Sequence, residues 1–248
     1  GSHPRRQTAG EDISVHRPMV TSGHMLRSLA VIIPTRNEED SIQAAIRSAF
    51  EAGANEVIVS DGGSTDRTVP AAIEAGAQVV NGSGTRGEQL NRGAAASRAD
   101  ALLFLHADSR LPNNAADRVL EALNEGKVFG GFHLAFIEKP FRLRVAAAMI
   151  NLRTHLTRCP WGDQGQFLSR AQFADVGGFL PIPIMEDYEL ARRMKRVGPT
   201  AVITPVLRTS ARRFIRKGIL RTVTLNWYII VLYRLGRSPE ALARIYRG

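Results

Sequence analysis

Short apolar runs separated by helical periodicity dominate the first 105 residues and leave few folds open. Leu29-Ala-Val-Ile-Ile33, Glu56-Val-Ile-Val-Ser60, Ala77-Gln-Val-Val80 and Ala101-Leu-Leu-Phe-Leu105 each have the length and continuity of a buried strand. Between the first two, Ile42, Ala45, Ile46 and Ala49 recur at helical spacing, and Gly53 stops the helix. A second helix is expected from Asp66 to Ala75, ended by Gly76, and a third from Arg86 to Ser97. Strands alternating with helices predict an α/β fold with a mainly parallel central sheet flanked by helices.

The second half is less regular. Helices are expected over Leu111–Leu123, Arg142–Leu156 and Glu186–Val197, and from Ala211 to Leu235 and Pro239 to Tyr246. Strands are expected at Val128–Ile137, Gln166–Ser169 and Ala201–Thr204. Glu186–Val197 has an acidic start and a basic end, which suits the helix dipole. Gly1-Ser2-His3 reads as a cloning scar, and residues 1–27 read as a flexible terminus. Residues 28–210 then form one domain, and 211–248 a basic helical tail. The single cysteine, Cys159, excludes an internal disulfide and suits a buried apolar position, so a cytoplasmic location is expected.

In open α/β sheets ligands bind at the carboxyl ends of the strands. The segments there are Pro34-Thr-Arg-Asn-Glu38, Asp61-Gly-Gly-Ser-Thr-Asp66 and His106-Ala-Asp-Ser109, all polar and acidic. No G-x-x-x-x-G-K-[ST] loop exists, and no G-x-G-x-x-G follows the first strand. Dehydrogenase and kinase chemistry lose their ground.

Asp61 can accept hydrogen bonds from a base or ribose, although its loop is equally good turn and cap chemistry for Asp66. Asp108 follows an apolar strand that should be central. A hard oxygen donor there suits Mg²⁺ or Mn²⁺ bridging a diphosphate. His106 is a second donor or a structural residue. Glu186-Asp187 is either a dipole-favoured acidic pair or the seat of a general base for an acceptor hydroxyl.

Taken in order, Val31-Ile-Ile-Pro-Thr-Arg-Asn-Glu38, Val59-Ser-Asp-Gly-Gly-Ser-Thr-Asp66, Phe104-Leu-His-Ala-Asp108 and Glu186-Asp-Tyr-Glu-Leu190 resemble the family 2 glycosyltransferases of the GT-A (nucleotide-diphospho-sugar transferase) fold. Arg86-Gly-Glu-Gln-Leu-Asn91 and Trp161-Gly-Asp-Gln-Gly165 are similar to a bacterial subgroup described as transferase 2, radical-SAM/selenodomain-associated. The resemblance implies that Thr35 and Glu38 touch the nucleotide and Asp61 binds its base, usually uracil. It further implies that Asp108 holds the metal and that Asp187 is the base of an inverting transfer from a nucleoside diphosphate sugar, a UDP-sugar being favoured. His106 stands where the family carries the first acid of Asp-x-Asp. The Gln-x-x-Arg-Trp motif of processive synthases is missing, so single-sugar transfer is expected.

Arg86 and Gln89 open a helix in the donor half and are candidate nucleotide contacts. Asp163, Gln164 and Glu186 are candidate acceptor or phosphate contacts. Arg212 and Arg213 are candidates to close over the diphosphate, guanidinium being suited to bidentate phosphate contacts.

The net charge is +10, and Arg192 to Arg237 contains no Asp or Glu. Within it Ile219–Tyr233 is apolar but too short and interrupted for a span of about 20 residues. Packing on the domain, packing on a second subunit and peripheral contact with a membrane surface, at its inner face, are the three readings of the tail. The acceptor is a small molecule or a lipid. Nucleic acid is not expected, since no recognition module accompanies the charge. Two alternatives to the transferase are a nucleotidyltransferase and a non-catalytic sugar-nucleotide or membrane-binding protein of the same fold.

Overall fold

The computed structural model describes residues 25–138 and 140–247, so the reading of residues 1–24 lies outside the described residues. The elements of the first half are β1 (Leu29–Thr35), α1 (Ile42–Glu51), β2 (Glu56–Asp61), α2 (Thr68–Glu74), β3 (Gln78–Asn81), α3 (Arg86–Ala95) and β4 (Ala101–Phe104). Then come β5 (Ser109–Arg110), α4 (Ala115–Asn124), β6 (Phe129–Phe136), α5 (Phe141–Thr157), a 3-10 turn at Gly162–Gln164 and β7 (Gln166–Ser169). The chain continues through α6 (Arg170–Asp175), α7 (Glu186–Val197), β8 (Thr200–Thr209), α8 (Arg212–Lys217), α9 (Ile219–Arg234) and α10 (Pro239–Arg247).

The strands form one eight-stranded sheet in the order β3-β2-β1-β4-β7-β6-β8-β5. β1 to β4 are parallel throughout. β7 is antiparallel to β4 and β6, and β5 to β8, whereas β6 and β8 run parallel. Strand periodicity sorts the core. Leu29, Val31 and Ile33 face α1, α2 and α4, while Ala30 and Ile32 face α3 and α7. Phe129, Phe132, Phe167 and Phe179 are fully buried, each stabilising the fold by roughly 1.5–3 kcal/mol.

Two details differ from the sequence expectation. The long helix expected from Ala211 is broken at Gly218, whose φ of +85 only glycine adopts readily, so α8 and α9 are separate. β8 runs to Thr209 instead of ending at Thr204, passing Pro205 where its pairing with β6 is interrupted between Phe132 and Leu134. The tail packs on the sheet: Ile229, Ile230 and Leu242 are buried with Phe129, Leu190 and Met194.

Candidate functional site

Parallel pairing brings the donor loops to one edge. Thr35 lies opposite Asp61 in register, and Leu105 continues β4 beside them, its N–H bonded to Ile32. Asp61 is 3% exposed. Its Oδ2 accepts from the Gly63 and Ser64 amides at 2.8 and 2.9 Å, and its Oδ1 accepts from the Ser64 hydroxyl and, at 3.3 Å, from Thr35 Oγ1. Four donors saturate a carboxylate. A base N–H therefore reaches Asp61 only by replacing one of the two hydroxyls. Asp66 stands one residue before Arg67, the N-cap of α2, and accepts from the Thr68 amide at 2.9 Å, so it closes the turn that leads into the helix without itself being the cap.

Gln89 differs from its expected role. It is buried, and its Nε2 donates to the carbonyls of Thr35 and Ser60 at 2.9 and 3.1 Å. That amide satisfies the ends of β1 and β2 and is spent on the backbone. Arg86, held at the head of α3 by the Thr85–Glu88 capping box, reaches across the cleft to Glu186, with Nε at 3.5 Å from Oε1.

Around the metal loop, Arg212 Nη2 donates to both oxygens of Glu38 at 2.9 Å and stands 4.0 Å from Asp108 Oδ2. Burial first, then the neighbouring Glu38 charge, push the Asp108 carboxyl above its ordinary range, and Arg212 offsets part of this. No group of three His, Cys, Asp or Glu able to hold a metal occurs among the described residues. The donors present fit a hard cation that takes one or two carboxylates and completes its shell with phosphate oxygens and water. Arg213 lies in α8 beside Arg212; its side chain lies outside the described residues.

The acceptor side is a cleft of about 540 Å³ lined by Arg86, His106, Trp161, Asp163, Glu186 and Asp187 and closed by α8–α10. Asp187, in the first turn of α7, accepts from the Gly162 amide at 2.7 Å on Oδ2 and from the Tyr188 amide at 2.7 Å on Oδ1. Each oxygen keeps a lone pair for a proton. Gln166 Nε2 ties the Asp187 carbonyl, at 2.9 Å, to that of Pro160, at 3.0 Å. A Cβ at position 162 would lie 2.9 Å from Asp187 Oδ2 and 3.3 Å from His106 Nε2, so a side chain there would displace the Asp187 carboxylate.

Glu186 is buried, and burial followed by the Asp187 charge raises its pKa against the pull of Arg86. Asp163 lines the cleft while its Oδ1 is sealed from solvent without a hydrogen-bond partner. Its pKa is raised by burial, with Arg153 opposing and Asp187 reinforcing the shift.

Gln164 corrects the sequence expectation. It is fully buried, its Oε1 accepts from Arg153 and Thr154 at 2.8 Å and its Nε2 donates to Phe132 at 3.1 Å. It fixes the turn, and its side chain is spent on these internal bonds. The sequence reading missed Arg153, which stacks on Trp161 at 3.3 Å from the ring centroid and whose charge opposes the rise of the Asp163 pKa. An arginine in the second half of a helix rich in apolar residues was the available signal.

An open α/β sheet with acidic loops at the carboxyl ends of its parallel strands and a carboxylate-lined cleft beside them has the layout of the GT-A fold. The chain belongs to the family described as Glycosyl transferase family 2, whose profile matches residues 30–175. It is similar to glucosyl-3-phosphoglycerate synthase of Mycobacterium tuberculosis, 34% identical over 114 residues, or 39% of this chain and 35% of that protein. It is also similar to 4,4'-diaponeurosporenoate glycosyltransferase of Staphylococcus haemolyticus, 31% identical over 147 residues, 53% of this chain and 38% of the relative. These matches span little more than a third of the relatives' lengths. Among solved structures, the M. tuberculosis synthase with Mn²⁺, uridine diphosphate and glucosyl-3-phosphoglycerate superposes with a TM-score of 0.53 at 25% identity, over 79% of this chain and 76% of that one.

Proposed function

We propose that this chain transfers a single sugar from a UDP-sugar to a small-molecule or lipid acceptor, with inversion and with Mg²⁺ or Mn²⁺ bound. The carrying observation is Asp187, held by two amides in the wall of a cleft that Arg86 and His106, two residues before Asp108, also line. The acceptor oxygen attacks the anomeric carbon, the bond from that carbon to the diphosphate oxygen breaks, and the hydroxyl proton passes to Asp187. Asp108, with Glu38 beside it, would hold the metal, which when bound supplies positive charge to the leaving diphosphate. Arg86 and Arg212 orient phosphate oxygens, and the Asp61 loop takes the base. In this reading residues 28–210 carry the chemistry and the tail supplies Arg212 and the cleft's far wall.

The M. tuberculosis synthase, crystallised with Mn²⁺ and uridine diphosphate, supports the donor and the metal. The family match leaves the nucleotidyltransferase alternative without support. Calorimetry with UDP and GDP, with and without Mn²⁺, tests the reading. UDP binding that requires Mn²⁺ and is lost in Asp108→Asn is expected; metal-independent binding, or none, would overturn it.

A further inference from the structure

α5 carries apolar residues on its outer side as well as its inner one. Leu143, Ala146 and Ala147 are buried, while Phe141, Val145, Met149, Leu152 and Leu156 face outward. Steps of four, four, three and four residues put these five on one stripe. Its ends, Phe141 and Leu156, are 75% and 72% exposed. A helix apolar on both faces is normally covered on both. α9 repeats the pattern, with Ile229 and Ile230 buried and Trp227, Tyr228 and Val231 exposed.

The two stripes meet. Met149 and Trp227 line a groove of about 70 Å³ whose inner end is Trp161 and Asp163. Trp161, Asp163 and Asn226 are shared with the cleft that holds Asp187. The groove therefore leads from the apolar surface to the acceptor end of the site.

Charge selects what covers this face. Residues 140–162 contain Arg142, Arg144, Arg153 and Arg158 and no acid, and α9 carries Arg221 and Arg234 and no acid. Arg142, Arg144, Arg158 and Arg221 are exposed. A second copy would set this basic surface against itself, whereas an anionic bilayer complements it. The exposed Trp227 and Tyr228 suit the headgroup level, and the arginine stems can lie along the apolar stripe. Among the described residues no helix is long and apolar enough to cross a membrane.

We propose that the outer faces of α5 and α9 dock on an anionic lipid surface, placing the mouth of the acceptor groove at the lipid–water boundary. The consequence for acceptor delivery rests on the transferase reading; docking itself does not. The test is co-sedimentation of the full chain with vesicles of phosphatidylcholine alone or of equal parts phosphatidylcholine and phosphatidylglycerol. Binding to the mixed vesicles is expected, weakened by salt and reduced at least tenfold in Leu152→Glu/Leu156→Glu. The milder Leu152→Ser/Leu156→Ser should show an intermediate loss, and both variants should keep wild-type UDP affinity and melting temperature. Absent binding, equal binding to both vesicle types, or binding indifferent to these substitutions would overturn the proposal. So would a dimer, seen by light scattering, that the same variants dissociate. UDP titration on the same samples separates failure of docking from failure of the transferase reading.

Discussion

The two halves of the site hold their carboxylates in opposite ways. On the donor side Asp61 and Asp66 are satisfied by amides and hydroxyls of their own or neighbouring loops. On the cleft side Asp163 has an oxygen with no hydrogen-bond partner among the described residues, and the buried Glu186 carboxylate meets the Arg86 guanidinium only at 3.5 Å. The donor loops are thus preformed by short-range bonding, which suits recognition of an invariant nucleotide. The cleft keeps two poorly compensated acids, Asp163 and Glu186, beside Asp187, which two amides hold. Asp108 stands between them, raised like the acceptor acids yet placed on the donor edge.

The contrast can be broken most sharply at Asp187. Asp187→Asn keeps the size of the side chain and removes the proton acceptor, so kcat should fall by about 10²–10⁴-fold with UDP affinity unchanged. A comparable fall in UDP affinity would move Asp187 to the donor side. Gly162→Ala displaces the same carboxylate without altering its chemistry. A fall in kcat of about 10²-fold is expected, with an unchanged far-ultraviolet circular dichroism spectrum.

On the donor side the cost should appear as stability. Asp61→Ala strands two amides and two hydroxyls and should lower unfolding free energy by about 3 kcal/mol in urea, along with UDP binding. The smallest effect is a pH slope. Glu186 and Asp163 have folded pKa values above their unfolded ones, so the folded state holds their protons longer. Stability from this source is present below the unfolded carboxylate values and is lost as pH rises through the raised folded values. Asp163→Asn should flatten this slope, shifting the pH dependence of Tm by about 2 °C. An unchanged slope would show that Asp163 ionises as freely folded as unfolded.

Local signals decided which elements were legible. β7 and α7 match the sequence expectation residue for residue, because an apolar run beside a capping serine and an acid-to-base gradient are both written locally. β5 escaped, since its two residues exist as a strand only through pairing with Thr209 and Arg208. α6 is a single short helix with one buried side chain, too little for periodicity to register. Within the site, the strand-end acids could be located by position alone. The Glu38–Arg212 pair could not, because its partners are 174 residues apart. Gln164 misled for the opposite reason: in a turn motif a polar residue reads as exposed, and only the packing of Arg153 and Thr154 shows that it points inward.

Gly162 has a consequence for anyone wishing to redirect this protein. His106, Asp187 and the turn carrying Asp163 converge at Gly162, where an added methyl group would have to push the Asp187 carboxylate aside. Substitutions there are expected to disturb Asp187 whatever the intended acceptor. The walls are permissive by comparison: Ile184, Asn226 and Ala243 line the same cleft on separate elements. A library that holds position 162 fixed and varies those three searches acceptor preference while leaving the proton-transfer geometry alone.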